Sequence, residues 1–186
     1  MVVFVTHLDR GIAVIVVDLV NDFVSGKFGS ERGIEVAGNT AKFLKILNGR
    51  YPVIFTLDTH VPGDPEFRVW GEHCLAGTKG SELDSNLVDI DGYRIRKRHY
   101  DSFYDSDLDG ILRMHGISHV YVSGISTDIC VQHTVAGAFF RNLQITMIED
   151  LCATIDPDNH VLSIKAMKRN YGVKVITLAE AEKELT

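Results

Sequence analysis

The sequence predicts an α/β protein of three layers, in which an open, mostly parallel sheet of about six strands lies between helices. Apolar, β-branched runs alternate along the chain with segments of helical periodicity, the pattern of repeated βαβ units. Several runs, such as IAVIVVDL (12–19) and PVIFTLD (52–58), are continuously apolar, as expected for strands covered on both faces. Neither an internal repeat nor a linker interrupts this alternation, so we predict a single domain over residues 1–186.

Six runs are predicted as strands and four segments as helices. The strands are 12–19, 52–58, 93–97, 119–124, 144–150 and 173–177. The helices are 35–47, 106–115, 128–141 and 157–170. Local signals mark some helix ends: Gly116 and Asn142 follow two of the helices, and Asp156 precedes Pro157 at the start of the last.

Composition points to a compact protein of a reducing compartment. The 186 residues are 45% hydrophobic, and the net charge of −6 argues against a nucleic-acid partner. The basic run RIRKRH (94–99) is interpreted as a solvated strand edge. No apolar stretch approaches the roughly 20 residues of a membrane span, and the N-terminus lacks the features of a secretory signal. Three cysteines, an odd count, do not make a disulfide framework, which favours a cytoplasmic location.

Reactive side chains stand at the end of four predicted strands. Asp18 closes the first strand, Asp58 and His60 the second, Lys97 the third, and Cys130 follows the fourth. Because ligands of open parallel sheets bind outside the carboxyl ends of the strands, we expect these side chains to meet in one crevice. Together they are the residue types that a thiol-based, metal-assisted hydrolase needs.

Cys130 is the candidate nucleophile. It lies two residues after Asp128, in the first turn of the predicted helix, and the unpaired N–H groups of a helix N-terminus lower the pKa of a thiol. Asp18 is a candidate to accept its proton, and Lys97 to hold that carboxylate ionised and stabilise the thiolate. The alternative is a buried structural cysteine beside a solvated aspartate and lysine, because free cysteines are often buried.

The segment LDTHVPGDPEFRVWGEHC (57–74) contains candidate metal ligands. Asp58 and His60 are two residues apart at a strand end, so both reach a shared ion, and His73 supplies a third ligand from the next loop. Zinc takes nitrogen and oxygen ligands of this kind and leaves positions for water or substrate. The alternative is an ordinary polar loop, since eight histidines make chance clusters common.

Three motifs resemble those of the isochorismatase-like cysteine hydrolases, and within them the nicotinamidases. IVVDLVNDF resembles the first-strand motif that carries the catalytic base, here Asp18. IRKRHYDSF resembles the third-strand segment whose lysine completes the triad, here Lys97, and VSGISTDICV resembles the nucleophile segment, here Cys130. The resemblance spans residues 12–177, with the motifs in the family's order, and implies the isochorismatase-like hydrolase fold.

The resemblance also implies a mechanism. The Cys130 thiolate attacks the carbon of an amide after Asp18 has taken its proton, and a thioester forms. Backbone N–H groups of Ser126 and Cys130 are the implied oxyanion hole, and the family's cis peptide corresponds here to Ile125–Ser126. Asp18 then gives its proton to the leaving ammonia and activates the water that hydrolyses the thioester.

A metal site of the nicotinamidase kind is implied at Asp58, His60 and His73. Glu66 occupies the position where some nicotinamidases carry a further ligand, with a surface glutamate as the alternative interpretation. Cys74 is expected to pack rather than to bind the ion. Zinc is the expected ion, with iron and manganese as alternatives.

In nicotinamidases the ion orients a pyridine ring between aromatic side chains. Phe23 and Trp70 match the positions whose rings flank the pyridine, and plain core packing is the alternative for each. The implied partner is therefore a small-molecule amide, in the first place nicotinamide. The family also implies a homo-oligomer, either a dimer or a tetramer.

Three departures from the nicotinamidase pattern bear on the substrate. The glycines in DFVSGKFG are separated, Arg98 follows Lys97 in place of a small residue, and Ser126 stands where alanine is more common. They keep an N-carbamoylsarcosine amidase or a ureido amidohydrolase open as the alternative, although those relatives generally lack the metal motif. Two further hypotheses are a dyad of Cys130 with His133 and a non-catalytic binding protein, against which the complete triad argues.

Overall fold

The computed structural model describes residues 11–186, so the expected absence of a secretory signal lies outside the described residues. Six parallel strands form one sheet in the order β3-β2-β1-β4-β5-β6. They are β1 (Ile12–Val17), β2 (Val53–Asp58), β3 (Tyr93–Lys97), β4 (His119–Ile125), β5 (Gln144–Ala153) and β6 (Lys174–Ile176).

Seven α-helices of very different lengths connect and flank these strands within the described residues. They are α1 (Asn21–Val24), α2 (Glu31–Leu47), α3 (Phe67–Trp70), α4 (Leu108–Met114), α5 (Gln132–Phe139), α6 (Pro157–Tyr171) and α7 (Leu178–Leu185). No helix of this part of the chain is long and apolar enough to cross a bilayer. The predicted α/β class, with a six-stranded parallel sheet between helices, is confirmed.

Two separate hydrophobic cores show that helices cover both faces of the sheet. Val14 and Val16 of β1 point into one core, with apolar residues of α2 and α7. Ala13, Ile15 and Val17 point into the other, with residues of α4, α5 and α6. Successive side chains of a strand point to opposite faces, so a continuously apolar strand supplies both cores.

The boundary between β1 and β4 is the point where the strand order reverses. Gly124 of β4 pairs with Val17 of β1, and the two backbones lie very close together. A Cβ atom on residue 124 would lie 2.0 Å from the carbonyl oxygen of Val17. The Gly124 φ of 129° also lies in a region that L side chains rarely adopt, so glycine is required for two reasons. This close approach brings the carboxyl ends of the two strands together, where ligands of such sheets bind.

Several predicted boundaries differ from the structure. The helix predicted at 35–47 begins earlier, at Glu31, because the Ser30 side chain accepts a hydrogen bond from the Gly33 N–H and caps it. The strand predicted at 144–150 continues to Ala153, past an irregularity in its pairing with β4. The helix α7 was not predicted, although the side chains of Thr177 and Glu180 form a capping box at its start.

Candidate active site and metal centre

Three strand ends bring Asp18, Lys97 and Cys130 into one buried cluster. The Lys97 Nζ atom lies 2.6 Å from Asp18 Oδ2 and 3.7 Å from Cys130 Sγ. All three residues are almost completely inaccessible to solvent. The ammonium therefore connects the carboxylate and the thiol, which are 112 positions apart in the chain (130 − 18 = 112).

The backbone and a neighbouring threonine fix the Asp18 carboxyl group. Asp18 follows β1 directly and has a φ of 51°, so the strand ends at Val17 instead of continuing to Leu19 as predicted. The Thr56 hydroxyl donates a hydrogen bond to Asp18 Oδ1 at 2.9 Å. The sequence analysis did not identify Thr56. The signal that could have indicated it is the single hydroxyl side chain within the apolar run of β2.

Burial and charge act in opposite directions on the cluster. Burial favours the neutral amine of Lys97, but the neighbouring carboxylates, Asp18 before Asp58, outweigh it and raise the pKa of Lys97 well above its usual value. Burial raises the pKa of Asp18, and the Lys97 charge opposes that effect. The lysine is thus the fixed positive charge of the cluster.

The expectation of a lowered thiol pKa is wrong for this arrangement. Burial raises the pKa of Cys130 well above its usual value, although Lys97 acts in the opposite direction. Cys130 also lies in a π-helical turn, Thr127–Val131, and the α-helix begins only at Gln132. Burial therefore favours the neutral thiol, and a neighbouring group that accepts the proton favours its ionisation.

The turn before Cys130 has an unusual backbone. The Ile125–Ser126 peptide bond is cis. The N–H groups of Ile129 and Val131 both donate to the Ser126 carbonyl oxygen, which closes the π-helical turn around the cysteine. Such single π turns are frequent at functional sites.

A second cluster, of four potential metal ligands, lies beside the first. One ligand atom each from Asp58, His60, Glu66 and His73 falls within 4.8 Å of the others. Asp58 Oδ2 lies 3.0 Å from His60 Nε2 and 3.6 Å from His73 Nε2, while Glu66 Oε1 is 3.9 and 3.7 Å from the same nitrogens. Three of the residues are buried and Glu66 is half-buried.

The hydrogen bonds around this cluster leave its inner atoms free for an ion. Asp58 Oδ2 and His60 Nε2 are buried and have no hydrogen-bond partner. His73 Nδ1 donates to the Gly71 carbonyl oxygen at 2.8 Å, and His60 Nδ1 faces the Asp64 carboxylate at 2.9 Å, so each Nε2 is directed inward. Unpartnered buried polar atoms are costly, and a divalent cation satisfies two nitrogen and two oxygen donors in this arrangement. The residues present therefore fit a metal ion.

An aromatic pocket opens onto both clusters. It has about 370 Å³ of empty space including its open mouth, which lies near the lower end of the range of about 300–1,000 Å³ for small-molecule sites. Predicted site residues Phe23, Trp70, Glu66, His73, Ser126 and Cys130 all line it. Sequence reasoning missed four other lining residues, namely Phe28, Tyr100, Ile129 and Ile155.

The pocket walls are held by ring contacts and one hydrogen bond. The Phe28 ring packs edge-on against His73 and Trp70, with ring centroids 5.2 and 6.2 Å apart. The Trp70 indole N–H donates to the Tyr100 hydroxyl oxygen at 3.0 Å. Because the indole proton occupies one lone pair of Tyr100, the phenolic proton is left to be donated to another group.

The remaining candidates lie apart from the reactive atoms. Cys74 is buried and its thiol is not among the four grouped ligands; its backbone N–H donates to Asp22 at 2.7 Å. Burial raises the pKa of the Cys74 thiol strongly. His133 is exposed and uses Nδ1 to donate to the Ile129 carbonyl oxygen, whereas the ammonium beside Cys130 Sγ is that of Lys97.

Comparison with known proteins places this geometry in a family. Residues 12–180 match the model of the isochorismatase domain. The chain is 30% identical to the nicotinamidase/pyrazinamidase of Mycobacterium tuberculosis, an alignment that covers 84% of this chain and 94% of that protein. It is 36% identical to the structure of the N-carbamoylsarcosine amidase of Thermoplasma acidophilum, with a TM-score of 0.83 and coverage of 91% and 97%. The structure of the pyrazinamidase of Pyrococcus horikoshii in complex with zinc is 26% identical, with a TM-score of 0.82 and coverage of 90% and 99%.

Proposed function

Because the chain belongs to the isochorismatase family, we propose that it is an amide hydrolase that converts nicotinamide and water to nicotinate and ammonia. The observation that carries the proposal is the Lys97 ammonium, which lies 2.6 Å from Asp18 and 3.7 Å from Cys130 at the base of an aromatic pocket. A base, a thiol and a fixed positive charge are the parts that thiol-based acyl transfer requires.

In the proposed reaction Asp18 is the base and Cys130 the nucleophile. Cys130 Sγ loses its proton to Asp18 as it attacks the carbonyl carbon, so that no free thiolate has to persist in the buried resting site. Backbone N–H groups of Ser126 and Cys130 are the proposed donors to the developing oxyanion. Asp18 returns the proton to the leaving ammonia, and a water molecule that gives its proton to Asp18 then hydrolyses the thioester.

The roles of the other residues follow from their positions. Lys97 stabilises negative charge on Asp18 throughout and limits how far its pKa rises. Asp58, His60, His73 and Glu66 are the proposed ligands of a divalent cation, most simply zinc for this mixture of nitrogen and oxygen donors, with iron and manganese as the other ions such ligands accept. When bound, the cation supplies a Lewis acid that holds and orients a substrate nitrogen. Phe23 and Trp70 are the proposed aromatic walls around the ring of the substrate.

The charge of the pocket favours an uncharged substrate over a carboxylate. Among the lining residues that the structure describes, Glu66 carries a carboxylate and none is an arginine or lysine. N-carbamoylsarcosine and ureidoacrylate carry a carboxylate, which proteins usually bind through arginine or lysine. N-carbamoylsarcosine remains the second candidate because of the 36% identity to the Thermoplasma acidophilum amidase.

The proposal extends to location and assembly. The three cysteines are free and buried, which supports the cytoplasm as the compartment. Exposed apolar side chains such as Phe140 and Leu162 support a homo-oligomer, because large apolar groups at a surface often mark contacts between subunits. The proposed partner is a small-molecule amide, with no role for nucleic acid or membrane.

The test is ammonia release from nicotinamide, pyrazinamide, N-carbamoylsarcosine and ureidoacrylate. The wild-type protein, a chelator-treated sample and the Cys130→Ala variant are compared at equal concentration. The proposal predicts that nicotinamide is hydrolysed, that Cys130→Ala abolishes turnover, and that chelation raises the KM for nicotinamide. Turnover of N-carbamoylsarcosine alone, unaffected by chelation, would contradict both the proposed substrate and the role of the metal.

A further inference from the structure

Two consecutive residues at the end of β3 serve two different parts of the site. Lys97 points to Asp18 and Cys130, while the next residue, Arg98, pairs with Asp64 in the loop that carries the metal-ligand candidates. Successive side chains of an extended segment point in opposite directions, so a single strand end supplies both cations. Arg98 is also one of the three departures from the nicotinamidase pattern, and the site described so far gives it no role.

Asp64 is buried, and both oxygens of its carboxylate have hydrogen-bond partners. The Arg98 guanidinium spans the carboxylate, with Nη2 on Oδ1 and with Nε 3.1 Å from Oδ2. The Val61 N–H donates to Oδ2 at 3.1 Å, and His60 Nδ1 lies 2.9 Å from the same oxygen. Only 6% of Asp64 is accessible to solvent, whereas half of the Arg98 side chain is exposed. A buried carboxylate with this two-pronged partner stays ionised, because the ion pair offsets its desolvation.

The contact between Asp64 and His60 determines which ring nitrogen faces the cluster. An ionised carboxylate only accepts hydrogen bonds, so His60 Nδ1 must carry the proton and donate it. In the neutral ring that a metal ion requires, Nε2 then holds the lone pair, and this is the buried atom without a hydrogen-bond partner, 3.0 Å from Asp58 Oδ2. A carboxylate behind a histidine ligand fixes the ring and makes its free nitrogen a stronger donor to a metal.

We propose that the Arg98–Asp64 ion pair positions His60 as a metal ligand and strengthens the binding of a divalent cation at the Asp58, His60 and His73 site. This inference rests on the metal site of the proposed function. Asp64 acts on His60 directly, and Arg98 acts through Asp64 by holding both carboxylate oxygens in place. The pair is a positioning unit, since neither residue belongs to the group of ligand atoms.

The alternative explanation is that the pair only fastens the loop between β2 and α3. Asp64 does hold the turn through the Val61 N–H, so a loss of stability alone does not distinguish the two explanations. Metal affinity measured on the folded protein, and the spectrum of a bound metal, do distinguish them. Arg96 is a matched control, because it is an exposed arginine two residues earlier, on β3.

The experiment measures Zn²⁺ affinity by competition with a chromophoric chelator and records the visible spectrum of the Co²⁺ form. The proteins are wild type, Asp64→Asn, Arg98→Ala, Arg98→Lys, Arg96→Ala and His60→Ala. We expect Asp64→Asn to weaken Zn²⁺ binding about 10–100-fold, as losses of such supporting carboxylates do, and to alter the Co²⁺ spectrum. Arg98→Ala should weaken binding by a smaller factor, Arg98→Lys should recover part of the loss, and Arg96→Ala should match wild type.

The experiment distinguishes a failure of this inference from a failure of the proposed metal site. If Asp64→Asn and Arg98→Ala keep wild-type Zn²⁺ affinity and Co²⁺ spectra while His60→Ala loses both, this inference is overturned and the proposed metal site stands. If His60→Ala binds Zn²⁺ as tightly as wild type, the metal site itself is overturned, and the inference falls with it. Should Asp64→Asn not fold, the comparison of Arg98→Ala with Arg98→Lys and Arg96→Ala still decides the question.

Discussion

The Nζ atom of Lys97 lies 3.3 Å from Oδ1 of Asp58, so one buried carboxylate joins the cysteine cluster to the metal-ligand cluster. The other oxygen of Asp58 faces His60 Nε2 at 3.0 Å. Burial raises the pKa of Asp58, but the Lys97 charge and the nearby His60 and His73 rings outweigh it and lower the pKa well below its usual range. The Asp58 carboxylate is therefore ionised. Because it contacts both clusters, a change in one cluster affects the other.

The first prediction concerns the stability provided by Lys97. Replacement by glutamine leaves Asp18 and Asp58 buried without their cation, and the removal of one partner from a buried pair costs about 3–5 kcal/mol. Urea unfolding of Lys97→Gln should therefore give a free energy of unfolding lower by about that amount. Lys42→Gln, at an exposed position of α2, should change it by less than about 0.5 kcal/mol. Equal stabilities of the two variants would show that the buried charges are not coupled.

The second prediction concerns Tyr100 in the pocket wall. Tyr100→Phe removes the acceptor of the Trp70 indole proton, so the indole ring is less firmly oriented beside the substrate. We expect the KM for nicotinamide to rise by about tenfold with little change in kcat, since a lost hydrogen bond of this kind is worth about 1–1.5 kcal/mol. Tyr104→Phe is the control, because Tyr104 is 61% exposed and does not line the pocket. A fall in kcat at unchanged KM would assign Tyr100 to the chemical step instead.

The third prediction is the response of stability to added metal. A ligand that binds only the folded state stabilises it by about 2.7 kcal/mol at a hundredfold excess over its Kd, which corresponds to a rise in Tm of about 5–10 °C for a chain of this size. Zn²⁺ should produce such a rise in the wild-type protein and not in His73→Ala. His115→Ala should behave like wild type, because His115 bonds Tyr93 at the start of β3, the opposite end of that strand from Lys97. A rise of equal size in His73→Ala would place the binding elsewhere.

The fourth prediction is a pH dependence that arises from His119. Burial, with a contribution from Lys174, lowers the pKa of His119, whose Nε2 lies 2.8 Å from the Thr146 hydroxyl. The unfolded chain binds the proton at a pKa of about 6.5, so it gains protons before the folded state does as the pH falls. Stability is therefore fully present above that pH and declines below it, by at most about 1.4 kcal/mol per pH unit, until the folded pKa is reached.

The variant His119→Gln should remove this part of the pH dependence. The free energy of unfolding, measured by urea at about pH 7.5 and about pH 5.5, should differ less in His119→Gln than in the wild-type protein. His133→Gln, at an exposed position, should keep the wild-type difference. An unchanged difference in His119→Gln would mean that other groups cause the decline.

The parallel strands and the shared edge of their carboxyl ends could be predicted from the sequence for a physical reason. Parallel strands that alternate with helices place all their carboxyl ends at one edge, so Asp18, Lys97 and Cys130 were expected at the same edge of the sheet once the strands were recognised. The same reasoning applies to Asp58 and His60, which directly end or follow β2. These positions depend on the hydrophobic periodicity and on the alternation of strands and helices along the chain, and both are visible in a single sequence.

Features that depend on three-dimensional packing could not be read in this way. The spacing of Asp128 and Cys130 suggested a helix N-terminus. The burial that raises the pKa of the thiol depends on how the surrounding strands and helices pack around Cys130. The Arg98–Asp64 pair joins residues 34 positions apart, and the contribution of Thr56 depends on which strand lies beside β1. Pocket residues such as Tyr100 and Phe28 carry no spacing signal, because their place follows from how two loops fold over the sheet.

The proposed reaction requires that Cys130 form a covalent acyl intermediate with the amide substrate. The most direct measurement is mass spectrometry of the protein mixed with nicotinamide, quenched in acid within milliseconds to seconds, and digested. We expect a nicotinoyl adduct on the peptide that contains Cys130, and neither adduct nor ammonia with Cys130→Ala. Ammonia release without any adduct on that peptide, together with wild-type turnover by Cys130→Ala, would contradict the proposed reaction.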